Sequence, residues 1–155
     1  LIQSDATTIL VEDESRTIGR LRVPDTVTDR FRTGPTVLME ESVTSRARLI
    51  QEEYVNRELH KGVSGASLEA RYLSATARIE KKLGGLRVRE ASDLIRRAFL
   101  QSGTVPDAHL DWISYLLVHY YDGLYAHALE RQPRQIVFRG TRAECESWIR
   151  TEYNT

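Results

Sequence analysis

Three short apolar runs, TILVE (8–12), PTVLMEE (35–41) and RQIVFRG (134–140), stand apart in a chain whose remaining periodicity is largely helical. Short apolar runs bounded by turn or acidic residues read as buried strands. Between the second and third runs the period is 3.6. Val43, Ala47, Ile50, Tyr54 and Leu59 fall near one stripe, and further helices are predicted over SLEARYLSATARIEKKLGG, REASDLIRRAFLQSG and DAHLDWISYLLVHYYDGLYAHALERQ. Gly84 and Gly85 stop the first of these, as glycine commonly does at a helix C-terminus. Pro24 opens an earlier short helix, PDTVTDRFRTG, because proline suits a first helical turn. RTIGRLRV, with Gly19 and no helical period, reads as a loop. Thr141 and Glu144 form a predicted capping box ahead of a last helix around CESWIR. Strands alternating with helices argue for a parallel sheet covered by helices.

The acidic end of the first run bears on chemistry. In an open parallel sheet, ligands sit outside the carboxyl ends of the strands. Glu12, Asp13 and Glu14 lie at such an end, followed by Ser15 and Arg16. An apolar strand running into Asp or Glu is the Walker B pattern, whose carboxylate holds Mg²⁺ at a nucleotide phosphate. A solvated loop is the competing reading, since many strands end in a carboxylate. The chain has no G-x-x-x-x-G-K-[ST] and so carries no phosphate-cradling loop of its own. The predicted fold class is α/β: the C-terminal portion of a parallel sheet of about three short strands, P-loop-like in its acidic strand end, with a large α-helical insertion. The expected organisation is a partial α/β segment over 1–42, a helical region over 43–131, and a closing strand and helix over 132–155.

Charge narrows the partners only slightly. The 22 basic residues are balanced by 22 acidic ones, yet nearly all the basic residues are arginine, with lysine only at 61, 81 and 82. Arginine's planar fork suits phosphate, though a GC-rich genome would also favour it. Arg46 and Arg48 open the helix after the second run, where they could close over a phosphate as a lid does; solvated helix-face residues are the alternative. HYYDGLY (119–125) gathers His119, Tyr120, Tyr121, Asp122 and Tyr125 in two helical turns. Its aromatics could stack on a base, with Asp122 orienting a hydroxyl. Otherwise Tyr121 and Tyr125, four apart, form one packed helix face.

Other chemistries find little support. The four histidines (60, 109, 119 and 127) show no metal-ligand spacing with Cys145, so no zinc site is expected. Glu144 and Glu146 flank Cys145 and would raise its thiol pKa, the wrong direction for a nucleophile. A single cysteine excludes an internal disulfide framework and fits a reducing, cytoplasmic setting. LIQSDATT lacks the features of a signal peptide, and no apolar run is long enough to span a membrane. With no initiator Met, the chain reads as part of a longer one.

VEDESRTIGRLRVP (11–24), RLIQEEY (48–54) and HYYDGLYAHALERQPRQIVFRG (119–140) together resemble the C-terminal part of bacterial tRNA 2-selenouridine synthase. That family joins an N-terminal rhodanese domain to a P-loop domain. The resemblance implies replacement of sulfur by selenium at wobble 2-thiouridine. It further implies selenophosphate as donor, an S-geranylated intermediate made from geranyl diphosphate, and the tRNA anticodon arm as partner. The family's reactive cysteine lies in the rhodanese domain, and Cys145 does not match it. The resemblance implies that this chain supplies Asp13 and Glu14 as catalytic carboxylates. Glu12, Ser15, Arg16, Arg46 and Arg48 would contact phosphate, and Tyr120, Tyr121, Asp122 and Tyr125 the tRNA. The rhodanese and P-loop half would be supplied from elsewhere, and Mg²⁺ would be a candidate cofactor. Two other readings compete: a helical tRNA-binding module without chemistry of its own, and part of a P-loop kinase for a small metabolite.

Overall fold

A computed structural model describes residues 9–12, 17–18, 20–131 and 134–153. The chain divides into two compact units, one formed by residues 1–40 and 129–155, the other by 41–128.

The first unit is built on a parallel pair of strands, β3 (Pro35–Met39) and β4 (Gln135–Gly140). Their register runs from Pro35 opposite Gln135 to Met39 opposite Gly140 and shifts between Thr36 and Val37. The Glu40 amide donates to the Gly140 carbonyl at 2.8 Å and carries the ladder one step further. An ion pair between Arg139 and Glu40, 3.0 Å long, bridges the carboxyl ends of the two strands. Helix α9 (Arg142–Tyr153) buries Cys145 beside the Leu38 and Gly140 carbonyls and stacks Trp148 on Phe138 at 5.2 Å. The predicted capping box is present: the Thr141 amide donates to Glu144 Oε2 at 2.7 Å, and the Glu144 amide reaches Thr141 Oγ1 at 3.4 Å. Helix α1 (Asp25–Thr33) starts after Pro24 and stops at Gly34, as its punctuation predicts.

Two expectations for this unit need correction. Residues 9–12 are not a strand; Ile9 and Leu10 are 79% and 71% exposed. A strand is stable only when a neighbour takes its backbone hydrogen bonds, and no described strand pairs with this run. The parallel sheet thus has two strands among the described residues, not three. The segment read as a loop instead holds a short antiparallel pair, β1 (Thr17–Ile18) with β2 (Leu21–Arg22).

The second unit is helical. It comprises α2 (Val43–Ile50), α3 (Arg57–His60), α4 (Gly65–Arg78), α5 (Glu80–Leu83), α6 (Gly85–Gln101), α7 (Leu110–Leu116) and the start of α8 (Asp122–Arg131). Ser42 and Ser64 cap α2 and α4 by accepting the amides of Ser45 and Ser67. Val55, Ala91, Ile95, Ile113 and Leu117 lie in the core. α2 packs on α7, and α6 packs on both α4 and α7. The glycines at 84 and 85 do end a helix, but α6 begins at once: Gly84, at φ +91°, makes the joint.

Two helical segments are wound as π-helix, Gln51–Asn56 after α2 and Leu117–Tyr121 between α7 and α8. A π-turn takes an extra residue into the helical ladder and shifts the buried stripe. The fully buried positions after Ala47 are Gln51 and Val55; Ile50 is half-buried and packs against the core as its period predicts. Tyr54, expected on the buried stripe, is 59% exposed.

Candidate nucleic-acid interface

Arg46 and Asp122, two of the residues picked out in the sequence, meet in the helical unit. Arg46 Nη1 donates to Asp122 Oδ1 at 2.6 Å, and Nη2 to Oδ2 at 2.9 Å. This is the bidentate geometry that gives a charge-assisted pair its strength. Hydrogen bonding to Asp122 raises the Arg46 pKa, and the same bonds hold Asp122 below the usual carboxylate range. Arg46 Nε is buried and has no hydrogen-bond partner among the described residues. Arg48 lies 3.7 Å from Asp107 in an exposed pair, which surface screening makes weak.

Tyr120 and Tyr121 precede Asp122 in the chain, and the Tyr125 hydroxyl acts on Arg46. Tyr120 is half-buried, packing its ring 5.0 Å from Tyr121 in an edge-on arrangement. Tyr121 and Tyr125 are 42% and 64% exposed, and α8 buries none of its residues. The packed-face reading of Tyr121 and Tyr125 therefore fails among the described residues. Desolvation, with the neighbouring hydroxyls of Tyr120, Tyr125 and Tyr54, raises the Tyr121 pKa. Tyr54 belongs to this group. Periodicity hid it, since an inserted π residue leaves no mark in the hydrophobic pattern. The one signal available was that the α-helical stripe put a tyrosine inward and Val55 outward.

Polar groups fasten the segment that precedes α7. Gln51 Nε2 donates to the Pro106 carbonyl at 2.7 Å. Trp112 Nε1 donates to His109 Nδ1 at 3.0 Å, so His109 carries its proton on Nε2. Burial lowers the His109 pKa.

Of the acidic group, Glu12 is described and exposed, while Asp13, Glu14, Ser15 and Arg16 lie outside the described residues. No cluster of three or more His, Cys, Asp or Glu side chains suited to a metal occurs among the described residues. No described helix is long and apolar enough to cross a membrane.

The fold and the site define an α/β protein with a helical unit that shows aromatic rings beside a fixed guanidinium. The chain belongs to the tRNA 2-selenouridine synthase AAA domain family, whose model matches residues 1–155. It is 38% identical over 152 residues to the tRNA 2-selenouridine synthase of Cupriavidus necator, covering 92% of this chain and 41% of the relative. With the enzyme of the same name from Alcanivorax borkumensis it shares 33% identity over 150 residues, covering 91% of this chain and 41% of the relative. The Salmonella enteritidis protein of that name is 33% identical over 153 residues, with 92% and 42% covered. The chain thus spans about two-fifths of the length of these relatives. No solved structure matches it.

Proposed function

We propose that these residues are the C-terminal part of a tRNA-modifying transferase that replaces sulfur by selenium at wobble 2-thiouridine. Family membership supports the reaction class, since the relatives are named tRNA 2-selenouridine synthase. The observation that carries the role of this part is the exposed set Tyr54, Tyr121 and Tyr125, linked to one another through Tyr121 and to the Arg46–Asp122 pair through Tyr125. Exposed tyrosine faces give bases something to stack on, and here they stand in a unit whose core is complete without them.

In this reading the helical unit docks the anticodon arm. Tyr121 and Tyr125 stack on unpaired bases, with Tyr120 bracing Tyr121 from the side. Asp122 holds Arg46 in place near the RNA, and Arg48, only loosely tied to Asp107, swings to a phosphate. Asp13 and Glu14, flanked by Glu12, Ser15 and Arg16, serve the phosphate-handling end, with selenophosphate and geranyl diphosphate as co-substrates and Mg²⁺ as a candidate ion. The reading places the phosphate-cradling loop and the rhodanese cysteine outside these residues and expects the chain alone to be inactive.

Two measurements test it. A filter-binding titration of the 155-residue chain with unmodified glutamate or lysine tRNA should show micromolar or tighter binding that weakens steeply with salt. A folded chain that binds no tRNA would remove the docking role. In the complete protein, Asp13→Ala should abolish selenation and leave the fold intact; wild-type turnover would remove Asp13 from the chemistry.

A further inference from the structure

The cations of the helical unit fall into two groups. Arg46, Arg48, Arg57, Lys61, Arg71 and Arg96 each lie within 4.0 Å of a carboxylate. Arg78, Lys81, Lys82, Arg87 and Arg89 have no such partner among the described residues, and all five are exposed. Arg97 is the one other unpaired cation of this unit among the described residues. The unpaired charge is thus concentrated at one corner, where α4 ends, α5 forms one turn and α6 begins.

The helix dipole accounts for Arg78, Lys81 and Lys82, which lie in the last turns of α4 and α5 where cations are favoured, but not for Arg87 and Arg89. Helix N-termini favour Asp and Glu and disfavour cations. Yet α6, 17 residues long, has no acidic residue in its first turn and no side-chain cap, and it sets Arg87 and Arg89 near that end. Leu86, next to Arg87 in the same turn, is 63% exposed. At the joint, a Cβ on Gly84 would meet nothing within 4 Å, while one on Gly85 would lie 3.2 Å from Glu80 Oε1 and 3.7 Å from Arg89 Nη1, so the corner is open on the Gly84 side and holds one carboxylate among its cations. α5 packs directly against the π-helical segment that carries Tyr120 and Tyr121.

We infer that Arg78, Lys81, Lys82, Arg87 and Arg89 form a second RNA contact, one that grips the sugar–phosphate backbone of a stem. Unpaired, exposed cations meet phosphates without first breaking an ion pair, and each phosphate neutralised releases counterions. Base stacking on the tyrosines and backbone contact at the corner divide the work between position and recognition. Only the identity of the RNA as tRNA rests on the function proposed above; the contact with an RNA backbone does not.

The test compares three forms of the 155-residue chain: wild type, Lys81→Gln/Lys82→Gln/Arg87→Gln, and the control Arg57→Gln/Arg96→Gln. Each is titrated with unmodified tRNA, an unrelated RNA hairpin and phosphatidylserine vesicles at several salt concentrations, after circular dichroism confirms unchanged helicity. The corner variant should bind tRNA at least about tenfold more weakly. Its slope of log K against log salt should be shallower by roughly 0.7–0.9 for each phosphate it no longer neutralises. The control should bind as wild type does. Corner and wild-type chains that bind tRNA with equal strength and slope overturn the inference and leave the proposed function standing. Equal weakening in control and corner variants overturns it too, since the charge would then act without location. Corner-dependent binding of tRNA and hairpin alike upholds the inference even where the complete protein selenates no tRNA. Wild-type binding to vesicles but to neither RNA overturns it in favour of a membrane surface.

Discussion

Arg46 and Asp122 are 76 residues apart in sequence and joined by two parallel hydrogen bonds of 2.6 and 2.9 Å. The pair ties the first turn of α2 to the first residue of α8, and so fixes the helix that carries Tyr125. Their side chains are 30% and 37% exposed, so solvent screens part of the attraction. Arg46→Ala and Asp122→Ala should each cost about 1 kcal/mol of stability, and the double variant should cost less than the sum. Urea unfolding of the four proteins measures the coupling; strict additivity would show that the pair contributes nothing.

The same pair makes a pH prediction. Asp122 has a lowered pKa in the folded chain because Arg46 donates to it. The stability it contributes is present above the unfolded carboxylate value, about 3.9, and is lost as pH falls through the lower folded value. Asp122→Asn should flatten the acid limb of a Tm-against-pH curve below about pH 4. An unchanged acid limb would assign that loss to other carboxylates.

His109 acts in a higher window. It is 3% exposed, its Nδ1 accepts from Trp112, and burial lowers its pKa. The unfolded chain binds a proton near pH 6.5 that the folded chain resists. Stability is therefore full above about pH 6.5 and declines as pH falls toward the folded value. His109→Ala should remove this decline and also cost about 2 kcal/mol at neutral pH, because the buried Trp112 indole N–H loses its acceptor. Trp fluorescence during denaturant unfolding at about pH 7.5 and about pH 5.5, on either side of the unfolded value, reads both effects.

Gly140 is a glycine because of what approaches it. A Cβ there would lie 3.0 Å from both Cβ and Oε2 of Glu144 and 3.1 Å from Phe138 Cε1. Glu144 cannot swing aside without giving up its bonds to Thr141. Gly140→Ala should cost about 1–3 kcal/mol through overpacking. A Glu144→Ala background removes only the Oε2 contact and keeps those of Cβ and Phe138, so the added cost of Gly140→Ala should shrink in part and not vanish, as thermal melts of the two pairs would read.

Tyr125 offers a stacking face without a structural task. Tyr125→Phe should keep tRNA affinity, since a ring is all that stacking needs, while Tyr125→Ala should lose about 1–3 kcal/mol. Equal losses in both variants would point to the hydroxyl instead.

Much of the local structure was legible in the sequence. Pro24 and Gly34 bracket α1, Thr141 and Glu144 cap α9, and two of the three apolar runs pair as parallel strands. These features depend on neighbouring residues and on side-chain period, which sequence displays directly. Residues 9–12 have the composition of a strand, but a strand exists only with a partner, and composition does not supply one.

The candidate site was legible as a set of residue types and not as an arrangement. HYYDGLY and Arg46 were visible, and their chemistry pointed to phosphate and bases. Their meeting was not, because it depends on α2 packing against α7 with a π-turn in each helical run. In the first π-helical run Gln51 and Val55 lie inward and Tyr54 outward, and α8 after the second has no buried residue. The sequence by itself determined the ends of α1, the cap of α9, the two paired strands and the family. The tertiary structure alone decided which face each tyrosine shows and which cations remain unpaired. Both depend on the packing of helices that are far apart in the chain.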